Sequence, residues 1–287
     1  MTSQSKNDKQ SRRILVGTEG TPDGDAAVAW AADEAALRGH ELMICHVSSP
    51  IAADFWVTTD TIRKELAELC EPLLEHAVQV ARERQPDVEV HAKVLVGSPS
   101  RIMLNLAESA ELTVLGRSGQ GGLAPRWIGS VIERMFALSP TPTVGVSAHP
   151  ERTSDEVRRV VIGISADMPS ESALDFAFDF AALHKAPVQV LHVIPADVPN
   201  SRHGEMQDEA NERLAKLLAA RELNFPDAHL VSLQGNGTTG EVLAHACASD
   251  DLLVLGRRDH AARIPGRIGR TISHALHSAR CPIVVVP

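Results

Sequence analysis

Short apolar runs alternate with longer stretches of helical pattern in the first half of the chain. The runs RILV, ELMICHV, DVEVHAKVLV, TVLG and PTVGV each have the length and apolar content of a buried β-strand. The stretches between them predict helices over about residues 21–38, 59–84 and 98–110, and from about 130. Strands that alternate with helices form parallel sheets through right-handed crossovers. The pattern therefore predicts an α/β fold.

The first predicted helix carries clear start and stop signals. Thr21 is a residue of the N-cap type, and Pro22 follows it at the first helical position. Gly39 follows the last helical residue, where a left-handed backbone conformation commonly ends a helix. Ser98 and Pro99 repeat the same start signal before a later helix.

The second half of the chain repeats this order of elements. Residues 13–47 align with 160–193 at an offset of 146, and residues 110–146 align with 250–286 at an offset of 140. A duplication of this length predicts two domains rather than one. The predicted organisation is a disordered N-terminal segment and two tandem domains, at residues 1–11, 12–149 and 157–287.

Composition narrows the class of protein. Of the 287 residues, 44% are hydrophobic and only 3% are aromatic, which suits parallel sheets built from aliphatic residues. The formal net charge of −9 argues against a nucleic-acid partner, because affinity for phosphate backbones needs excess Lys and Arg. The polar N-terminus has no signal-peptide core, and no apolar run approaches the ~18 residues of a membrane span. We therefore predict a cytoplasmic protein without a membrane partner.

A glycine-rich stretch, GRSGQGGLAPRWIGS, joins the predicted fourth strand to the helix that follows it. Ligands of open parallel sheets bind beyond the carboxyl ends of the strands. Glycine lets backbone N–H groups approach an anion closely, and the N-terminus of the next helix adds unpaired N–H groups and a positive dipole end. The stretch predicts a phosphate-binding loop that needs no lysine. The alternative is that these glycines only form a flexible connection.

The spacing Gly116-x2-Gly119-x9-Gly129-Ser130 resembles the nucleotide motif G-2x-G-9x-G-[S/T] of the universal stress protein family. The stretches ILVGTEGT, ICHV, VGSPSRIML and AELTVLGRSG also resemble family patterns, in order and in register over both copies. The resemblance implies two tandem Rossmann-like domains, each a five-stranded parallel sheet of order 3-2-1-4-5 between helices. It also implies a nucleotide-dependent regulator in stress adaptation that binds ATP, with Mg²⁺. We further predict a homodimer and, separately, a regulatory protein partner that the sequence does not identify.

The resemblance also assigns residues to the nucleotide. Gly17, Thr18 and Glu19 would lie beside the adenine, with Val47 lining its pocket. Leu115 and Gly116 would face the nucleoside. The phosphates would be held by Gly119, Gly129, Ser130 and Val131. Glu19 departs from the family pattern, which has Asp there; it keeps a carboxylate acceptor with one more rotatable bond. The alternative for Glu19 is an ordinary solvated charge.

The second copy lacks parts of this motif. It has Gly256-x2-Asp259-x9-Gly269-Arg270, so that an acid and an arginine replace a glycine and a hydroxyl residue, and Ser165 stands where Glu19 stands in the first copy. A carboxylate at Asp259 would repel a triphosphate, and we predict weak or no ATP binding in this copy. Nearby arginines offer an alternative phosphate contact through side chains, or a solvated basic loop.

Other chemistry has weaker support. Gly235-x-Gly237-x2-Gly240 imitates a dinucleotide fingerprint, but late in its domain rather than at the opening strand. His274 and His277 are spaced to share a metal ion but have no third ligand, so we predict no metal site.

No nucleophile lies beside a base, so we assign no catalytic residue and predict no fast turnover. His46 and His192 recur at equivalent strand ends, which predicts a shared packing or hydrogen-bonding role; a catalytic base is the alternative for them, and Glu19 is the other candidate base. The alternatives to a regulator are a slow ATPase or nucleotide-dependent enzyme, and a scaffold that binds no nucleotide.

Overall fold

The computed structural model describes most of the predicted elements. The described residues are 13–49, 60–118, 128–148, 157–165, 167–194, 208–209, 211–219, 229–234, 237–257 and 267–287. The chain divides into two compact units, Met1–Ala148 (unit 1) and His149–Pro287 (unit 2). The predicted N-terminal segment lies outside the described residues, and the predicted domain limits stay a prediction.

Unit 1 contains a five-stranded parallel sheet of order β3-β2-β1-β4-β5. This confirms the strand order that the family resemblance implied. The elements in chain order are β1 (Arg13–Gly17), α1 (Pro22–Arg38), β2 (Glu41–Ser48), α2 (Asp60–Arg84), β3 (Val90–Val96), α3 (Pro99–Ala107), β4 (Leu112–Gly116), α4 (Ser130–Leu138) and β5 (Thr143–Val146).

Unit 2 repeats the arrangement with the order β8-β7-β6-β9-β10, again all parallel. Its elements are β6 (Arg159–Ile164), α5 (Glu171–His184), β7 (Val188–Ile194), α6 (residues 211–219), β8 (His229–Gln234), α7 (Thr239–His245), β9 (Asp251–Gly256), α8 (Arg270–Ser278) and β10 (Ile283–Val286). The α/β prediction is confirmed in both units.

The ends of α1 follow the signals in the sequence. The Thr21 hydroxyl accepts a hydrogen bond from the Gly24 N–H at 3.1 Å, and Pro22 opens the helix. Gly39 has φ 63° and ψ 38°, and its N–H bonds to the last turn of the helix. The N–H of His40 reaches the Ala35 carbonyl at 2.9 Å, which completes a Schellman-type end. These local bonds fix where the chain leaves β1 and enters β2.

The central strands are buried on both faces, as expected when helices cover a parallel sheet. In β1, Ile14, Leu15 and Val16 are at most 1% exposed, and β4 has four consecutive buried residues. The loops that leave these two strands therefore start from a rigid base, and they end at the same edge of the sheet. In the described part of the chain, no helix is both long enough and apolar enough to cross a bilayer.

Two predicted details differ from the structure. α3 ends at Ala107 rather than near Ala110, because Ser109 turns back and its hydroxyl bonds the Leu106 carbonyl at 3.1 Å. Ser98 occupies the N-cap position of α3 with an extended backbone, but its hydroxyl makes no capping bond.

Candidate functional site

A crevice opens at the carboxyl ends of β1 and β4 in unit 1. Its empty volume is about 520 Å³, which includes space at the mouth that is open to solvent. β1 lies between β2 and β4, so the connections that leave β1 and β4 diverge here, which is where open parallel sheets bind ligands. The crevice is lined by Gly17, Thr18, Glu19, Thr21, Gly24, Cys45, Val47, Pro99, Met103, Leu115, Gly116, Ser118, Gly129, Val131 and Ile132.

The lining set brings together eight of the ten residues that the family resemblance assigned: Gly17, Thr18, Glu19, Val47, Leu115, Gly116, Gly129 and Val131. Ser130 is exposed at the start of α4 and is not in that set. Gly119 lies outside the described residues. The assignment of these residues to a nucleotide stays a prediction, since a lining set does not identify a ligand.

The turn after β1 is held by the backbone and side chain of Thr18, which is 3% exposed. The Thr18 N–H donates to the Cys45 carbonyl at 3.0 Å, and its hydroxyl oxygen accepts from the Gly20 N–H at 3.2 Å. The Thr18 carbonyl lies 2.8 Å from Nδ1 of His46. A carbonyl only accepts, so Nδ1 of His46 carries the proton of this bond.

His192 makes the equivalent bond in unit 2, from Nδ1 to the Ile164 carbonyl at 3.2 Å. The two histidines therefore share one task, which is to fix the turn after the first strand of each unit. This fits the hydrogen-bonding role predicted from their repetition.

The chain leaves β4 through a short paired stem. The Arg117 N–H donates to the Val146 carbonyl at 2.8 Å, and the Gly129 N–H donates to the Arg117 carbonyl at 2.9 Å. Ser118 and Ile128 form an antiparallel bridge. The ends of the glycine-rich stretch are thus held side by side at the rim of the crevice.

The N-terminus of α4 faces the same crevice. Gly129 is its N-cap residue, with φ −69° and ψ 137°, and as a glycine it makes no side-chain capping bond. The first intrahelical bond runs from the Glu133 N–H to the Gly129 carbonyl at 3.3 Å. The N–H groups of the preceding first-turn residues have no intrahelical acceptor, and Val131 and Ile132 line the crevice. This end of α4 is suited to an anion.

Part of the crevice lining is apolar. It includes Cys45, Met103 and Leu115, which are at most 5% exposed. Burial raises the pKa of the Cys45 thiol to about 12, although the nearby Lys93 ammonium acts in the opposite direction. The thiol is therefore protonated at neutral pH and is not an activated nucleophile.

Sequence reasoning missed seven lining residues: Thr21, Gly24, Cys45, Pro99, Met103, Ser118 and Ile132. Several adjoin motif positions, and proximity in sequence was the only signal for them. Cys45 is 1% exposed and belongs to the core, but it also faces the crevice. Asp23 was missed as well; it does not line the crevice, yet its carboxylate accepts from Ser118, which does.

Unit 2 differs at the matching positions. Ile164 and Ser165 replace Thr18 and Glu19, so that a hydroxyl and a carboxylate are lost. Ser170 replaces Gly24, and a Cβ built on Gly256 would lie 2.4 Å from the Ser170 Cβ. Arg270 is exposed at the start of α8. Asp259 lies outside the described residues.

Gly240, the last glycine of the dinucleotide-like pattern in unit 2, is explained by the packing of two helices. A Cβ on Gly240 would lie 2.2 Å from the Thr271 carbonyl oxygen, so this glycine allows α7 to approach α8. Thr238 and Glu241 form a capping box at the start of α7. The hydrogen bonds from Thr238 hold the pKa of the Glu241 carboxyl below its usual value. A carboxylate thus stands where a pyrophosphate would bind.

Each histidine of the pair on α8 has a hydrogen-bond partner for its Nδ1. His274 Nδ1 lies 2.6 Å from the Thr238 hydroxyl, and His277 Nδ1 donates to the Ser273 carbonyl at 2.7 Å. Each ring has its own partner.

A separate group of Glu41, Glu89 and His91 has ligand atoms within 4.8 Å of one another. It is partly or fully exposed, and Glu41 also pairs with Arg13. Surface ion pairing accounts for this group.

Both copies match one protein-family model, described as the Universal stress protein family, at residues 10–147 and 156–287. The chain belongs to the universal stress protein family. A universal stress protein of Mycobacterium tuberculosis is 26% identical over 291 residues, which are 96% of this chain and 97% of the relative. This chain is therefore a universal stress protein with two family domains in tandem.

Solved structures agree on the fold. A universal stress protein from Archaeoglobus fulgidus superposes with a TM-score of 0.70 at 15% identity, and the match covers 96% of this chain and 98% of that one. Another universal stress protein, solved in complex with cAMP, is 24% identical over 48% of this chain and 98% of its own, with a TM-score of 0.38.

Proposed function

We propose that unit 1 of this universal stress protein binds ATP, with Mg²⁺, and that the bound nucleotide regulates the protein's action in stress adaptation. The observation that carries the proposal is the crevice between β1 and β4. It combines an apolar wall with a helix N-terminus whose N-cap residue, Gly129, makes no side-chain capping bond. An adenine nucleotide has the matching chemistry, because its base is apolar on both faces and its phosphates are anionic.

The residues present fit such a ligand. Val47, Met103 and Leu115 offer apolar contact to a base, and the amides at the start of α4 offer hydrogen bonds to phosphate oxygens. Glu19 supplies the carboxylate among the described lining residues. A bound Mg²⁺ would neutralise phosphate charge, and it commonly takes one or two carboxylates beside phosphate oxygens and water.

The lining side chains favour binding without fast turnover. The Cys45 thiol is kept protonated by burial, and His46, whose Nδ1 donates to the Thr18 carbonyl, is not among the lining residues. A pair of nucleophile and base is not found among the described lining residues. We propose that unit 2 binds ATP weakly or not at all, since Ile164, Ser165 and Arg270 remove the matching groups. The homodimer, the protein partner and the cytoplasmic location stay predictions.

Thermal unfolding with and without nucleotide tests the proposal. ATP with Mg²⁺ at 100 times its dissociation constant should stabilise the binding unit by about 2.7 kcal/mol, and NAD should not. Calorimetry should give one tight ATP site per chain. Two tight sites would contradict the proposed difference between the units, and no shift with any nucleotide would favour a scaffold.

The substitution Ser130→Asp sharpens the test. Ser130 is exposed at the first position of α4, so that an acid there favours the helix dipole while it repels phosphate. The ATP shift should fall strongly in Ser130→Asp and persist in Ser130→Asn, the matched neutral control. An undiminished shift in Ser130→Asp would discard the assignment of the phosphates to α4. Release of phosphate from bound ATP would favour the slow ATPase.

A further inference from the structure

The carboxylate of Asp23 joins two chain segments that are distant in sequence. Its Oδ2 accepts from the Ser118 N–H at 3.0 Å and from the Ser118 hydroxyl at 2.7 Å. Its Oδ1 accepts from the Ala148 N–H at 2.8 Å. One side chain in the first turn of α1 therefore holds the exit of β4 and the exit of β5 at once.

The position of this carboxylate is fixed by its own backbone. Asp23 follows Pro22 in the capped first turn of α1. A Cβ built on Gly116 would lie 2.9 Å from the Asp23 carbonyl carbon and 3.0 Å from its oxygen. The end of β4 therefore packs directly on this turn, and the carboxylate has little freedom to move away from Ser118.

The two bonded segments differ in their relation to the crevice. Ser118 lines it and belongs to the glycine-rich stretch, in which it is the last described residue before residue 119. Ala148 is exposed, is not in the lining set, and is the last residue of unit 1. Asp23 does not line the crevice either. The Asp23 side chain thus links Ser118, which lines the crevice, to Ala148, which lies outside it, through one hydrogen-bonded carboxylate.

We propose that Asp23 is a positioning residue of the nucleotide site, which fixes the stem of the glycine-rich stretch and couples nucleotide binding to the anchoring of Ala148. This inference rests on the proposed function of unit 1. Holding Ser118 in place before the ligand arrives lowers the ordering cost of binding. By linkage, a ligand that binds only the ordered stem stabilises the bonds of Asp23, including the one to Ala148.

Unit 2 has no equivalent of this carboxylate. Pro169 occupies the corresponding position at the offset of 146, and it offers neither a charge nor a side-chain acceptor. Unit 2, which departs from the nucleotide motif, therefore also lacks the carboxylate that we assign to positioning the stem in unit 1.

The test compares Asp23→Ala with Asp25→Ala in the full-length chain. Asp25 is a matched control: it lies in the same turn, carries the same charge, and its carboxylate pairs with the exposed His76 at 3.0 Å. Calorimetry gives the dissociation constant for ATP with Mg²⁺. Amide hydrogen exchange at Ala148, with and without ATP, gives the coupling. We expect at least tenfold weaker binding in Asp23→Ala and a constant within about twofold in Asp25→Ala.

The exchange data separate positioning from general stability. ATP should slow exchange of the Ala148 amide in the unsubstituted chain and in Asp25→Ala, but not in Asp23→Ala. Ser118→Ala removes one bond to the carboxylate without removing the charge, and it should weaken binding about threefold. The double variant Asp23→Ala/Ser118→Ala should be no weaker than Asp23→Ala alone, because the two residues act through one contact.

Three outcomes overturn the inference. If Asp23→Ala binds ATP as tightly as the unsubstituted chain, Asp23 does not position the site, while the proposed function stands. If ATP slows exchange at Ala148 in Asp23→Ala as well, the coupling does not run through this carboxylate. If the unsubstituted chain binds no nucleotide, the proposed function fails and this inference fails with it.

Discussion

Gly116, the last residue of β4, lies directly against the backbone of Asp23 in the first turn of α1. A Cβ on Gly116 would come within 3.0 Å of three backbone atoms, the carbonyl carbon and oxygen of Asp23 and the amide nitrogen of Gly24. Backbone atoms cannot rotate away as side-chain ends can. This glycine is therefore required by the contact between α1 and β4.

The variant Gly116→Ala should displace the start of α1. We expect a loss of about 1–3 kcal/mol in the free energy of unfolding, together with weaker ATP binding, because the displaced turn carries Asp23. Gly269→Ala is the control, since nothing lies within 4 Å of a Cβ there and its φ is −65°; it should cost less than about 1 kcal/mol. Chemical denaturation and calorimetry measure both effects. Equal losses of unfolding free energy in the two variants would show that the close approach of Gly116 to the first turn of α1 does not require a glycine.

The buried Cys45 thiol should make the protein sensitive to alkali. Burial raises its pKa from 9.0 to about 12, so the folded chain keeps a proton that the unfolded chain loses above pH 9. The stabilising contribution is complete below pH 9 and is lost as the pH rises toward 12, by roughly 1.4 kcal/mol per unit. The difference in the free energy of unfolding between the unsubstituted chain and Cys45→Ala should therefore shrink as the pH rises from 9 to about 10.5. A difference between the two that stays constant over this range would refute the assignment.

A second pH effect should come from Glu111 at the start of β4. Burial disfavours its charged form, but the hydrogen bond from His40 and the charge of Arg38 outweigh burial and hold the carboxyl pKa below its usual 4.5. Nε2 of His40 lies 2.6 Å from it, and Nη1 of Arg38 donates at 2.8 Å. The stabilisation is present above pH 4.5 and is lost as the pH falls through the lowered pKa.

Glu111→Gln should therefore be less stable than the unsubstituted chain at pH 7, and the gap should narrow below pH 4.5. Urea unfolding at several pH values between 3 and 7 measures the gap. A gap that widens in acid would contradict the direction given for this pKa.

Gly240 should act in packing and not in ligand binding. A Cβ there would lie 2.2 Å from the Thr271 carbonyl oxygen and 2.8 Å from the Ala275 nitrogen, both in the backbone of α8. Gly240→Ala should destabilise unit 2 by about 1–3 kcal/mol and leave the ATP affinity of unit 1 unchanged. Hydrogen exchange resolved by residue separates the two units. A variant that keeps its stability but gains or loses NAD binding would revive the dinucleotide hypothesis.

Much of the fold could be predicted because its signals are local. The cap at Thr21, the left-handed Gly39 and the apolar strand runs each involve residues within a few positions of one another. From the glycine spacing alone, Gly240 could also have belonged to a dinucleotide-binding loop. Its actual contact, with α8, depends on how two helices pack, and no pattern within a single helix reports that.

The sequence by itself determined the alternation of strands and helices and the duplication, because periodicity and caps act over short distances along the chain. Its resemblance to a known family pointed to eight of the fifteen residues that line the crevice. Only the tertiary structure decided that the Asp23 carboxylate meets Ser118, 95 residues away, and Ala148, 125 residues away. It also decided that the buried Cys45 faces the crevice. These contacts arise where parallel strands end at one edge of a sheet, and the packing of α1 on β4 selects which side chains meet there.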